Sequence, residues 1–591
     1  MKVGPVFFES IHSEKIPKRN HYYPNNESSV RYWLFPLIII GLLGLLAVRL
    51  GFLQILRGDY YRTLSDSNRI RNTVIHAPRG VIFDRFGKPL VINTPGYREV
   101  VNGKTKLIDS TDAISHLAKN DTHLEIDSLR QYPCQDACAH VVGYVGQISP
   151  EDIKNPLYSS YKATDVIGKM GIESYYEPVL KGIDGAKLTE VDATGKTLRV
   201  LGQTDPLPGQ NITLTVDMQL QEAVATAMKD VKKGAAIVST PQGEILALFS
   251  SPSFDPNLFT MGKTYSPSSG DLYKSVEQII SDAASPLLDR AISGTYPPGS
   301  TFKLVTAAAG LQNNIIDSSF SIKDTGVLKV GDFSFANWYF TQYGKTDGDV
   351  NVVKAIQRSN DIFFYTVGQM VGVDRLSGFA KEFGLGSPLG LDLPGEASGL
   401  LPTKEWKEKV IGDKWYLGDD YHYGIGQGYL LTTPLQVNMW TQAIANAGVL
   451  YQPRLLKNTA NTVSSPIRKN LLTKNTYELL REGMIDACST GGVAWPFFQF
   501  KVTNEKLKID EKDFYTPENA TGSAEVGVRV ACKTGTAQHG DDTTLPHAWI
   551  TLFAPAYNPQ VVVTVLAESS GEGSNIAGPI AKQILEKYFE K

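Results

Sequence analysis

The chain has 591 residues, too many for a single hydrophobic core, so a few domains are expected. Hydrophobic residues make up 42% and charged residues 20%, an ordinary globular balance that excludes a disordered or fibrous protein. The formal net charge of -3 excludes a chain built to attract nucleic acid, and no low-complexity tract or solenoid-length repeat is visible.

Residues 1–31 form a polar tail carrying Pro5, Pro17 and Pro24. From Tyr32 to Val48 there is no charged side chain, and the apolar run resumes after Arg49 through Leu50 to Leu53. At about 1.5 Å per residue, Trp33 to Leu53 covers roughly 30 Å, the hydrocarbon thickness of a bilayer. A cleavable signal peptide fits less well, because the run exceeds the usual apolar region and no small-x-small site follows. A single uncleaved anchor is therefore expected over 32–54. Lys15, Lys18, Arg19 and Arg31 precede it, and Arg49, Arg57, Arg62, Arg69 and Arg71 follow, so the positive-inside rule does not orient it.

Residues 55–205 alternate short β-like runs (VIFDRFGKPLVI, HVVGYVGQI) with turns, and Gly171–Leu180 reads as a helix stopped at Lys181-Gly182. The spacing of Cys134 and Cys138 leaves open a short-loop disulfide or two unlinked thiols. No CxxC pair and no clustered histidines occur, so no metal site is expected. Pro206-Leu207-Pro208-Gly209 marks a boundary, which makes 206–591 the second large domain. There a strand leads to a helix with an apolar stripe at Leu220, Val224, Ala227 and Met228. AAIVST and GEILALFSS read as a hairpin across Pro241-Gln242-Gly243. VRVACKTGTAQ, HAWITLFAP and QVVVTVLAES read as three further strands before a final helix. The fold class is α+β, with one sheet assembled from strands at the two ends of the domain and helices between them.

Three short motifs carry chemistry. Pro297-Pro298-Gly299 cannot continue a helix, whereas the alanine-rich stretch after Ser300 can start one, which puts Ser300 at a helix N-terminus with Lys303 one turn on. A serine hydroxyl is a poor nucleophile until a neighbouring base, such as a lysine held neutral, takes its proton. Against this, a serine and lysine three apart occur about twice by chance in a chain this long, and serine is a common helix cap. The second motif is Ser359-Asn360-Asp361, in an apolar segment that reads as one buried helix; alone, Ser359 reads as a cap or a core hydroxyl. The third is Lys533-Thr534-Gly535-Thr536 on a strand, where the glycine marks a bulge or a close backbone approach. His422, His539 and His547 lie near these motifs and read as surface or groove histidines, and Asp419-Asp420 as a solvated loop.

In fixed order, the three motifs form the signature of β-lactamases and penicillin-binding proteins. Ala77 to Arg85 (APRGVIFDR), Gly168 to Gly185, Ser251 to Asn257 and Tyr423 to Gln436 extend the likeness over nearly everything after the anchor. On these residues the chain resembles a class B penicillin-binding protein, and Asp361 in place of the more usual asparagine resembles the elongation type, the penicillin-binding protein 2 group. An ionised aspartate accepts a hydrogen bond but cannot donate one as an amide does.

The resemblance implies a pedestal over 55–205, of the family's dimerisation type, and a penicillin-binding transpeptidase domain over 206–591, β-lactamase-like with an antiparallel sheet flanked by helices. It implies catalytic roles for Ser300, Lys303, Ser359, Asp361 and Lys533, and substrate binding by Thr534, Gly535, Thr536 and Asn360. It further implies peptidoglycan D,D-transpeptidation through a serine acyl-enzyme, with no cofactor. Stem peptides, β-lactams, the cytoplasmic membrane and a membrane-embedded glycan polymerase are the implied partners, with the catalytic domain outside the membrane. A D,D-carboxypeptidase or β-lactamase would share the motifs and differ in the acceptor. A non-catalytic β-lactam sensor or scaffold is the rival from another class.

Overall fold

The computed structural model describes residues 29–590 apart from 102–103, 109, 119–123, 193–195, 263–264, 458–465, 505–506, 517–524 and 541–542. Helix α1 (Ser29–Gly51) runs on through a π-helical turn, Phe52–Leu56. Within it Trp33–Leu56 has a mean hydropathy of 2.3, and none of its most apolar window is buried in protein. A helix apolar on every face and covered on none suits a bilayer.

The chain divides into two compact units, Met1–Thr73 with Lys187–Gly202, and Val74–Ala186 with Gln203–Lys591, so residues 55–205 are shared between them. A three-stranded sheet has Gly185–Val191 between Ile70–Ile75 and Thr197–Thr204.

In the second unit the long strand Pro89–Val101 pairs antiparallel with Leu124–Gln131. Two local expectations need correction here. The HVV of HVVGYVGQI is a helical turn (Ala139–Val142), because Cys134 and Cys138 are disulfide-bonded around the turn just before it and Gly143, at φ 74°, ends it; only Val145–Gln147 is extended. The helix expected over 171–180 is two pieces, Gly171–Tyr175 and Glu177–Leu180, because Pro178 has no N–H to continue the ladder. These pieces carry Glu173 and Glu177 into a fully buried position. Arg79 Nη2 meets Glu173 Oε2 at 2.8 Å and Glu177 Oε2 at 2.7 Å; Arg130 pairs with the other Glu173 oxygen and donates to the Gly80 carbonyl at 2.7 Å. The APRG and GIESYYE stretches, far apart in sequence, are therefore two halves of one buried ion cluster.

Downstream, Asp217 caps α2 (Met218–Ala227) by accepting from the Leu220 N–H, and Leu220, Val224 and Met228 are buried as the stripe predicts. The main sheet consists of β1 (Gly234–Ser239), β2 (Ile245–Ser251), β3 (Ala531–Ala537), β4 (His547–Ala554) and β5 (Val561–Ala567), antiparallel throughout in the order β2-β1-β5-β4-β3. The expectation of a sheet joining both ends of the domain is met. Its strands are buried at nearly every position because helices cover both faces. Ala235 and Ile237 pack in the core that holds Trp440 and Phe302, whereas Ala236 and Val238 pack with α2 and with Ile580, Ile584 and Leu585 of the last helix. Between the strands lie α3 (Lys303–Gln312), α4 (Trp338–Tyr343), α5 (Val352–Arg358), α6 (Asp361–Val371), α7 (Pro434–Ala445) and α8 (Lys474–Ala487); α9 (Ala577–Phe589) closes the chain. With β3 at the open edge of the sheet, its Lys-Thr-Gly run faces whatever the helices leave beside it.

Candidate active site

Ser300 sits in a tight turn, Gly299–Thr301, that feeds directly into α3, whose first residue is Lys303. Gly299 N–H donates to the Gly426 carbonyl at 2.8 Å, and Thr301 Oγ1 to the Pro298 carbonyl at 2.8 Å, which fix the turn from both sides. The edge strand β3 presses against it. A Cβ on Gly535 would lie 3.0 Å from Thr301 Cγ2 and 3.1 Å from the Pro298 carbonyl oxygen, so only glycine lets the strand approach this closely without displacing the turn.

The segment expected as one buried helix is two. Helix α5 ends at Ser359, held at φ 52°, and Asn360 caps α6 by accepting from the Phe363 N–H at 2.9 Å. The break points the Ser359 hydroxyl at two lysines. Lys533 Nζ donates to Ser359 Oγ at 2.8 Å, and Lys303 Nζ lies 3.4 Å from the same oxygen. Lys303 Nζ also donates to Asp361 Oδ1 at 2.6 Å and to the Ser359 carbonyl at 2.8 Å. Both lysines are fully buried. Burial pushes the Lys303 ammonium below its ordinary range, against the opposing pull of Asp361. Burial pushes Lys533 well below its ordinary range too, and the charge of Lys303 adds to the shift while Asp361 opposes it. Two cations share one carboxylate, and the cheapest arrangement leaves one amine neutral.

Asn360 is placed differently from the expectation of substrate contact. Its side chain is fully buried, and its amide donates to Asp324 Oδ2 at 2.9 Å and Asp347 Oδ2 at 3.0 Å. Asn337 joins them, donating to Asp324 Oδ2 at 2.9 Å and accepting from Asp361 N–H at 3.1 Å. Trp338 N–H donates to Asp361 Oδ2 at 2.9 Å. This helix-capping amide faces carboxylates rather than the cleft, between two residues that do line it, Ser359 and Asp361. Asp419 and Asp420 likewise lie not in a solvated loop but in the helix Leu417–Gly424, where Asp419 pairs with Lys407 at 2.7 Å and accepts from the Tyr416 N–H.

A cleft of about 830 Å³ opens over this group. Ser300, Ser359, Asp361, Thr534, Gly535 and Thr536 line it together, so six of the nine residues singled out from sequence share one cavity wall. Lys303 and Lys533 lie behind that wall and touch it through Ser359, Lys303 also through Asp361 and Lys533 through the Thr534 carbonyl. The rest of the lining was not foreseen: it includes Trp338 and Gln342 of α4, Trp495, Phe498, Glu572 and Asn575. Nothing but a surplus of exposed aromatics in FANWYFTQY could have hinted at it. His422 lines the cleft as a groove histidine, held below its ordinary pKa by burial. His547 is buried under stacked His539, and burial with that neighbour's charge pushes it down to about 4. A second disulfide, Cys488–Cys532, ties the end of α8 to the residue before Lys533. The sequence spacing of 44 gave no hint of that pairing.

Residues 234–586 match the family model of the penicillin-binding protein transpeptidase domain, and residues 121–214 that of the penicillin-binding protein dimerisation domain. The chain is 32% identical to the peptidoglycan D,D-transpeptidase MrdA of Haemophilus influenzae, over 94% of its own length and 90% of that protein. It is similar to penicillin-binding protein 2 of Helicobacter pylori, solved in complex with MreC, with a TM-score of 0.70, 27% identity and coverage of 88% and 99% of the two chains. It is also similar to a chain of a peptidoglycan synthase complex described as coordinating polymerization and crosslinking, with a TM-score of 0.68, 27% identity and coverage of 95% and 99%.

Proposed function

This chain belongs to the penicillin-binding protein transpeptidase family and is a peptidoglycan D,D-transpeptidase, and from that premise we propose that it works through an acyl-enzyme on Ser300. The observation that carries the assignment is the Ser359 hydroxyl held between two buried lysines beside the Ser300 turn. Ser300 Oγ attacks the carbonyl carbon between the two terminal D-alanines of a stem peptide, and neutral Lys303 takes its proton. Ser359 Oγ passes a proton to the departing amine of the terminal D-alanine. The amine of a neighbouring stem peptide then attacks the ester and frees Ser300. Backbone N–H groups of Ser300 and Thr536 receive the oxyanion, a contribution of about 3 kcal/mol per donor elsewhere. In support, a Cβ on Gly299 would lie 2.9 Å from the Thr536 carbonyl oxygen, so the turn and the strand run in contact.

Lys533, with the Thr534 and Thr536 hydroxyls, receives the terminal carboxylate. That anion supplies the countercharge Lys533 lacks in the empty site. Asp361 holds Lys303 in place rather than recognising the substrate amide.

The substrate exists only outside the cytoplasmic membrane, so the catalytic unit lies there and α1 anchors it. A membrane-embedded glycan polymerase is the partner that the synthase complex of the similar chain supports. Incubating wild type and Ser300→Ala with a fluorescent penicillin tests the nucleophile. A covalent band on a denaturing gel for the wild type alone is expected; equal labelling of both proteins overturns the assignment.

A further inference from the structure

Among the described residues two carboxylates line the cleft, Asp361 and Glu572, and no lysine or arginine does. Asp361 is spent: one oxygen holds Lys303, the other the Trp338 N–H. Glu572 is fixed without being neutralised. Its Oε1 accepts from Gln342 Nε2 at 2.6 Å, across the mouth of the cleft from α4, and its Oε2 accepts from Asn575 Nδ2 at 3.0 Å. Asn575 in turn accepts from Trp495 Nε1 at 3.1 Å. Among the described residues no cationic side chain pairs with this carboxylate.

The loop bearing Glu572 is seated on the catalytic strand. Gly573 N–H donates to Thr536 Oγ1 at 3.4 Å, and a Cβ on Gly573 would fall 2.2 Å from the Trp549 carbonyl oxygen and 2.4 Å from that of Gly535. Only glycine fits there, so the residue before it is held beside the Lys-Thr-Gly strand and opposite Gln342. Trp338, Tyr343 and Trp495 line the same cleft, and aromatic rings attract a cation over their faces.

Transpeptidation needs an amine from a second stem peptide, and a free alkyl amine, with a pKa of about 10, arrives as an ammonium ion. We propose that Glu572 is a specificity-determining carboxylate that binds the ammonium group of a stem peptide at the mouth of the cleft, steered by Gln342, Asn575 and the flanking aromatic rings. The inference rests on the acyl-enzyme reading above. The chemistry fits two sources, the acceptor strand or an amine-bearing side chain on the donor strand.

The full-length protein separates them. A peptide thioester donor is mixed with increasing amounts of an acceptor amine, and the ratio of cross-linked to hydrolysed product is read for wild type, Glu572→Gln and Gln342→Ala. For acceptor binding, Glu572→Gln needs about tenfold more amine to reach the same ratio, a charge-assisted hydrogen bond having been lost, and added salt erodes the wild-type advantage. Gln342→Ala, which keeps the charge, shifts the ratio far less. In the second arm, donors with a free or an acetylated side-chain amine are compared in acylation. A wild-type preference for the free amine that Glu572→Gln abolishes assigns the site to the donor. Identical behaviour of wild type and Glu572→Gln in both arms, or an equal loss in Gln342→Ala, overturns the proposal. Each measurement is normalised to fluorescent-penicillin labelling of the same preparation. Failure of the wild type itself to label would instead strike the Ser300 reading.

Discussion

The pedestal and the catalytic cleft both bury charge, and they balance it in opposite ways. Arg79 and Arg130 meet Glu173 and Glu177, two cations against two anions, every one in direct contact with an opposite charge. Lys303 pairs with Asp361, and Lys533 bonds Ser359 Oγ and feels that one carboxylate from a distance. Burial by itself would lower Arg79, yet the two glutamates outweigh it and its pKa is raised. Burial by itself would raise Glu173, yet Arg130 and Arg79 outweigh it and hold the carboxyl below its usual range. In the cleft burial wins, and both lysines are pushed down. A balanced cluster locks its protons and serves as a joint. An unbalanced one has a proton to move, which is what a base requires.

Removing one charge from each cluster should break the comparison in opposite directions. Lys303→Met removes the amine paired with Asp361 and leaves Lys533, bonded to Ser359 Oγ and the Thr534 carbonyl, as the one lysine near that carboxylate. Acylation by fluorescent penicillin is expected to fall about 10³-fold or more, at the upper end of what a positioned acid–base group contributes. The midpoint of thermal unfolding should fall less than in Arg79→Met, because Lys533 stays close enough to Asp361 to feel its charge. Arg79→Met strands Glu173 and Glu177 on the one remaining arginine. Denaturant melts should show a loss of about 3–5 kcal/mol, the usual effect of leaving buried charge unpaired. The acylation rate of the protein still folded should stay within about twofold. A slow-acylating but fully stable Arg79→Met would mean that the pedestal cluster serves catalysis, and the contrast drawn between the two regions would be wrong.

A smaller effect tests the clasp that joins structure to chemistry. Asn360→Ala leaves Asp324 and Asp347 facing each other without the amide between them, and α6 without its cap. An unsatisfied buried polar group costs about 1–3 kcal/mol, and the cap about 1 kcal/mol. Acylation should slow by about tenfold, because Ser359 and Asp361 lose their fixed placement. Were Asn360 a substrate ligand instead, the loss would fall on peptide binding with stability intact.

What could be read from the chain divides along the same line. Motifs whose spacing is local were legible: Ser300 with Lys303 on one turn, the Lys533-Thr534-Gly535 strand, the apolar strands of the sheet. The orientation of a side chain at a helix break was not. Ser359 and Asn360 are neighbours, yet one faces the cleft and the other a buried carboxylate, and the difference comes from a single residue at φ 52°. Partnerships across long sequence gaps were equally hidden. Cys488 with Cys532, Arg79 with Glu173, and Gln342 with Glu572 are set by packing of elements that no window of sequence contains.

The gentlest test changes only pH. For Glu173, whose carboxyl lies below its usual value of 4.5 in the folded state, the stabilisation is complete above that value. It drains away as pH falls through the lowered folded value. For the lysines the slope has the same sign in a different window: between their lowered folded values and 10.5 the unfolded chain binds protons that the folded one does not, so stability rises with pH there too. Each group contributes at most about 1.4 kcal/mol per pH unit. Buried tyrosines such as Tyr365, raised chiefly by burial, titrate in the alkaline range with the opposite sign. The difference between wild type and variant is therefore the readout. Subtracting the Lys303→Met stability curve from that of the wild type should leave an alkaline slope and no acid one. Subtracting the Arg79→Met curve should leave an acid slope and no alkaline one. Acylation by wild type should climb with pH as the lysine base loses its proton. A flat alkaline difference for Lys303→Met would mean that its ammonium is as firmly paired as the arginines of the pedestal, and the base would have to be Lys533.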